Sequence, residues 1–302
     1  MHQVTIEDSR RHAPPADAPE SWQESFFLGW YDPATRSGGH HHISIKPKQD
    51  HAHVWSWLVV GGVLVGRAQQ HHLPVPDGDY GDLDVGTLRV RVAESLRDIR
   101  FEARFGDDRL MLDYRSLCPP HEVTLDTGGL TVGKRHYESM GIVTGTAIVN
   151  GETVALSGGA WHDHSWGPRQ FYPHRAGRWV FAVFGDDLAI SVFTYMTPQG
   201  PKQFGWVFDD GVVRTVTRAD FAAMVADDGL SPVSCEVRLW VEGFRGYHLQ
   251  GHVDTSILTG DDEWYSKDGL AAFTCGGRLG AGIIEVNEQK SLNPAQRREL
   301  EI

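Results

Sequence analysis

Apolar and polar residues alternate with a period of two along most of the chain, in short runs closed by Gly, Asp, Asn and Pro. Alternation of this kind places one side-chain set on each face of a strand. It predicts strands over residues 22–32, 54–60, 63–73, 88–92, 99–105, 110–117 and 135–149, and again over 235–242, 247–254, 270–275 and 281–287. Two hairpins are marked by their turns: residues 179–184 and 188–195 flank Gly185-Asp186-Asp187, and 204–208 and 212–216 flank Asp209-Asp210-Gly211. Only residues 218–228 suggest a short helix, with Ala219, Phe221, Ala222, Met224 and Val225 ahead of Gly229. No helical crossover long enough to join parallel strands is present, so the sheets are antiparallel and the fold class is all-β.

The densest chemistry lies just past the midpoint, in Trp161-His162-Asp163-His164-Ser165-Trp166-Gly167-Pro168-Arg169. Gly158-Gly159 are read as breaking the apolar run that leads in, and Gly167-Pro168 as a closing turn. If the segment between is extended, Trp161, Asp163 and Ser165 share one face and His162, His164 and Trp166 share the other. An Asp desolvated among indole rings has its pKa raised and becomes a proton donor near neutrality. A His tied to a carboxylate is an acid or base in the same range. The same residues also suit a structural reading, in which Asp163 caps a turn and the histidines form a fold-specifying polar network.

The order aromatic-His-Asp-His-Ser-Trp-Gly, followed by Pro168-Arg169, resembles the signature of the superfamily of hydroxyneurosporene synthase (carotenoid 1,2-hydratase), kievitone hydratase and AttH. His162 matches the hydratases, whose motif continues with Asn, whereas Ser165 and Arg169 match bacterial relatives that read Arg-Asp-His-Ser-Trp-Gly-x-Arg. The resemblance runs from about Trp22 to about Glu285, and its specific part is the central motif. It implies two tandem lipocalin-like antiparallel β-barrels or strongly curved sheets. The expected division is a flexible N-terminal arm over 1–20, β-domains over 21–155 and 156–287, and a polar tail over 288–302.

The resemblance also implies a lyase of the hydratase or dehydratase type, or a carbocation-type cyclase or isomerase, acting on a hydrophobic alkene such as a terpenoid. Asp163 is then the expected acid, with His162 and His164 tuning or reprotonating it. Glu138, ahead of a Gly-rich strand pair, is the expected second carboxylate, whereas its own context alone reads as a surface residue. Trp161, Trp166, Trp30 and Trp57 are expected to line the substrate, and Arg169 to anchor the surroundings of Asp163 or a polar end of the substrate. Apart from the resemblance, Glu24, set among aromatics and costly to bury without a partner, is either a further site carboxylate or a solvated edge residue. The alternative is a carrier or sensor of a hydrophobic small molecule, since barrels of this kind also bind without catalysis.

Composition narrows the partners. A formal charge of −12 without basic runs excludes nucleic acid. Cys118, Cys235 and Cys275 are widely spaced and lack a Cys-x-x-Cys pair, which argues against a disulfide framework or zinc ribbon. No dinucleotide, Walker or nucleophile-elbow motif occurs, so no cofactor is expected. His40, His42, His51 and His53 offer a competing metal hypothesis if their strands bring them onto one face. The polar, Pro-rich first 20 residues lack an apolar stretch of signal length, and no run approaches a membrane span, so the expected protein is soluble and cytoplasmic.

Overall fold

The computed structural model describes residues 3–93, 96–123, 134–169, 175–243, 246–260 and 264–291. They divide into two compact units, one through residue 169 and one from residue 175. All long elements are strands; the described helical residues are confined to 3-10 turns at Ile6–Ser9 and Pro47–Gln49. No helix among the described residues is long and apolar enough to cross a membrane.

The first unit holds β1 (Trp22–Asp32), β2 (Ser37–Lys46), β3 (His51–Val60), β4 (Val63–Leu73), β5 (Leu83–Val85), β6 (Leu88–Val92), β7 (Asp98–Phe105), β8 (Asp108–Ser116), β9 (His121–Glu122), β10 (Arg135–Val149) and β11 (Glu152–Pro168). They form one antiparallel sheet in the order β4-β3-β2-β1-β11-β10-β8-β7-β6-β5, with β9 beside β10. The sheet is strongly curved: the Thr87 N–H, just past β5, donates to Gln70 Oε1 on β4 at 2.9 Å. Its concave side encloses Phe26, Leu28, Trp30, Ile43, Val54, Leu58, Phe101, Leu112 and Ala160, all buried.

The second unit is a closed barrel of eight strands: β12 (Ala176–Phe184), β13 (Leu188–Thr197), β14 (Gly200–Asp209), β15 (Val212–Val225), β16 (Pro232–Val241), β17 (Gly246–Gly260), β18 (Trp264–Cys275) and β19 (Arg278–Gln289). Both expected hairpins are present. Residues 218–225 are strand, where the sequence suggested helix. A register shift between Val216 and Arg218 turns Ala219 and Phe221 onto the barrel core opposite Leu239 and Val237, while Arg218 and Asp220 pair outside. Cross-strand packing overrides the helical preference of the alanines.

Three boundaries differ from the sequence reading. The strand carrying the central motif runs unbroken from Glu152 to Pro168 and belongs to the first unit, so an opening of the second domain at 156 falls inside β11. Gly158 does not break the strand; its missing Cβ lets the Tyr31 carbonyl approach to 2.2 Å of where that atom would be. The arm is docked. Asp8 pairs with Arg135, the Arg11 N–H donates to Asp79 Oδ1 at 2.8 Å, and Val4 and Ala18 pack on Trp22, Tyr137 and Trp166. Finally, β19 runs through Gln289 into the expected tail, of which residues 292–302 lie outside the described residues.

Candidate functional site

The site is built on β11 and its neighbours β1 and β10. A two-residue turn at Asn150-Gly151, with φ of 52° and 82°, matches the twist of a tight hairpin and fixes the register of β10 against β11. That register sets Glu138 directly across from Asp163, with Phe27 of β1 on the other side. Because side chains alternate, the motif is split. His162 and His164 lie on the face of Leu28, Phe26 and Ala160, toward the core; Trp161, Asp163 and Ser165 lie on the opposite face.

On the core side, each imidazole is tied down. His162 Nδ1 donates to the Phe27 carbonyl at 2.8 Å, and burial lowers its pKa to about 3, so the ring is neutral. His164 Nε2 lies 2.8 Å from Glu24 Oε1 and its Nδ1 lies 3.3 Å from the Tyr137 hydroxyl. Burial lowers the His164 pKa and the Glu24 carboxylate partly offsets this. Glu24 also meets His12 from the arm: His12 Nδ1 lies 3.0 Å from Oε1 and the His12 backbone N–H donates to Oε2 at 3.0 Å. Burial alone would raise the Glu24 pKa, but the hydrogen bonds from His12 and His164 hold it below its ordinary value. The His12 ring stacks on Trp166 with centroids 3.8 Å apart.

On the opposite face, Asp163 is half-buried and makes no hydrogen bond or ion pair with any described residue. Burial raises its pKa from 3.8 to about 7, opposed by electrostatic interaction with His136, Arg169 and His40 and reinforced by Glu138. Around it stand Trp161 and Phe27, with ring centroids 5.2 Å apart, and His40, whose ring meets Phe27 edge-on at 4.5 Å. Glu138 is buried, accepts from Trp161 Nε1 at 3.4 Å and lies 3.2 Å from His136 Nε2. Arg169 donates to Ser165 Oγ at 2.6 Å; burial lowers its pKa to about 10 while Asp163 raises it. Ser25 Oγ is hydrogen-bonded to His42 Nε2, and the His42 ring stacks on Trp55 at 5.1 Å. This face therefore joins an acid that is half protonated at neutrality, a second carboxylate and apolar ring faces.

The family model for a domain of unknown function, DUF7064, matches residues 5–290. The chain belongs to the DUF7064 family. No curated protein sequence matches it. Among solved structures, an AttH-type protein from Nitrosomonas europaea is similar with a TM-score of 0.61 at 16% identity, over 91% of this chain and 98% of that one. Kievitone hydratase from Nectria haematococca is similar with a TM-score of 0.64 at 12% identity, over 95% and 93%. CghA is similar with a TM-score of 0.62 at 13% identity, over 89% and 88%. This DUF7064 chain thus has the AttH and kievitone hydratase fold to which its central motif pointed.

Of the residues singled out in this DUF7064 sequence, Asp163, Glu138 and Trp161 come together on one face, with Arg169 near Asp163 through Ser165. Trp57, also on that side, faces His40 at 6.0 Å. Trp30 does not join them: it is fully buried in the first unit's core, where its Nε1 donates to His41 Nε2 at 3.1 Å. His162, His164, Trp166 and Glu24 are likewise on the core side. The four histidines at 40, 42, 51 and 53 do not converge, because Trp55 stands between His42 and His53. His53 instead meets His71, Nδ1 to Nδ1 at 2.8 Å. His136 was missed although it stands two residues before Glu138, the spacing that puts both on one strand face. His12 had no local signal at all.

Proposed function

We propose that the protein is an enzyme that hydrates, dehydrates or isomerises a hydrophobic alkene, with terpenoids as the first class to test, by acid–base chemistry centred on Asp163. The observation that carries this reading is a carboxyl group with no hydrogen bond or salt bridge to a described residue, set beside aromatic rings and raised by burial to about 7 against the pull of Arg169. An acid with that pKa is partly protonated at neutrality and still strong enough to donate. The fold shared with kievitone hydratase, named for hydration, supports the same class of reaction.

In the forward direction the neutral Asp163 gives its proton to one alkene carbon, the π pair forms the new C–H bond, and the adjacent carbon becomes cationic. The π-faces of Phe27 and Trp161 stabilise that charge. Water then adds to the cation and releases a proton to Glu138, which lies 3.2 Å from His136 Nε2. Return of that proton to Asp163 through solvent resets the site. If the cation instead loses a proton from a neighbouring carbon, the product is the shifted alkene. His162, neutral and bonded to the Phe27 carbonyl, holds the strand in place and takes no proton in this scheme.

The test is incubation of wild-type protein and Asp163→Asn with a panel of terpenoid alkenes in H₂¹⁸O, read by mass spectrometry. Label incorporation or an isomerised product from the wild type alone supports the assignment. Unaltered recovery across the panel with tight binding identifies a carrier, and equal turnover by Asp163→Asn removes the acid role.

A further inference from the structure

We propose that His12, Glu24 and His164 form a binding site for one divalent transition-metal ion of the zinc class, which fastens the N-terminal arm to the first sheet. This site lies on the core face of β1 and β11, opposite the Asp163 face, and carries no step of the proposed reaction. Its three residues come from the arm, β1 and β11, and their ligand atoms, two imidazole nitrogens and a carboxylate oxygen, all lie within 4.8 Å of one another.

The nitrogen-to-oxygen separations are 2.8 Å from His164 Nε2 and 3.0 Å from His12 Nδ1, both to Glu24 Oε1. Ligands about 2.1 Å from a shared ion sit about 3.4 Å apart in a tetrahedral site, so each observed separation opens by about half an ångström on coordination. Two imidazoles and a carboxylate suit a borderline ion such as zinc better than calcium or magnesium, which prefer oxygen. The two imidazoles are also supported from behind. The Tyr137 hydroxyl meets the free edge of His164 at 3.3 Å, and Trp166 holds the His12 ring by stacking.

A second observation points to a missing polar species. Tyr80 is fully buried, its ring meets His164 edge-on at 4.8 Å, and its hydroxyl has no hydrogen-bond partner among the described residues. A sealed hydroxyl left unpaired is unfavourable. An ion carrying a bound water in this layer supplies the partner. The physical consequence is that a coordinate bond from His12 adds to the Asp8–Arg135 and Arg11–Asp79 contacts that dock the arm.

Untagged full-length protein is stripped with chelator and titrated with zinc sulfate alone; one portion is desalted and assayed for retained metal, and another is melted with the zinc present. The expected result is about one equivalent retained and a melting temperature raised by about 5 °C at zinc 100-fold above Kd. His12→Ala lies on the arm and leaves the sheet intact; it weakens zinc binding about 100-fold or more and removes the thermal rise, and Glu24→Gln does the same. His71→Ala, in the separate His53–His71 pair, keeps both. Cobalt in place of zinc gives visible d–d bands that vanish in His12→Ala. The proposal is overturned if the wild type retains no zinc, if His12→Ala retains it undiminished, or if His71→Ala is the variant that loses it.

Discussion

Replacing Asp163 by Asn removes one titration while keeping the size and shape of the side chain, and so isolates the cost of ionising that carboxyl in the fold. Its pKa rises from 3.8 to about 7 on folding. At about 1.4 kcal/mol per pH unit, a shift of this size corresponds to about 4 kcal/mol; partial exposure of the side chain reduces this to about 2–4 kcal/mol. The sign follows from linkage. A carboxyl whose folded pKa lies above its unfolded value binds its proton more tightly when folded, so the stability it contributes is present below about pH 4 and is lost as pH rises to about 7. Asn does not titrate. The stability of Asp163→Asn relative to wild type, measured by urea unfolding, is therefore expected to be within about 1 kcal/mol at pH 4.5 and to widen to about 2–4 kcal/mol in favour of the variant at pH 8. A gap that stays constant with pH, or a wild type more stable than the variant at pH 8, refutes the desolvated-acid reasoning.

Three further outcomes follow from the same geometry. The rate of the proposed reaction falls as pH rises through about 7, because the acid form of Asp163 is lost; a pH–rate profile that is flat from 6 to 8 contradicts this. Glu138→Gln keeps the Trp161 contact but removes the base, and turnover drops by about 100-fold or more with an unchanged circular dichroism spectrum. Leu28→Ala, at a fully buried core position of the first unit, lowers unfolding free energy by about 2–5 kcal/mol, measured by denaturant titration.

The fold was largely legible because strand periodicity is a local property. Both hairpins around Gly185 and Gly211 follow from apolar runs and their turn residues, and the meander from β6 to β8 follows from alternation. So did the split of the motif into an Asp163 face and a His162–His164 face. What alternation leaves open is which face meets the core. In β1 both faces are aromatic, so Trp30 and Phe27 are equivalent on paper, and only the curvature of the sheet puts Trp30 inside and Phe27 beside Asp163. Long-range partners were equally hidden: Glu24 and His164 are 140 residues apart, and His12 reaches both from a segment whose prolines and polar residues read as an arm. The 218–225 segment satisfied helical and strand periods together, and the shift at Val216 decided between them.

The central claim is that the Asp163 carboxyl is half protonated near neutral pH. It is tested most directly by titrating the protein labelled with ¹³C at the Asp side-chain carboxyl carbons and subtracting the Asp163→Asn spectrum to isolate one resonance. The account predicts a single carboxyl titrating at about 7. A resonance that titrates near 4, as an exposed aspartate does, contradicts it.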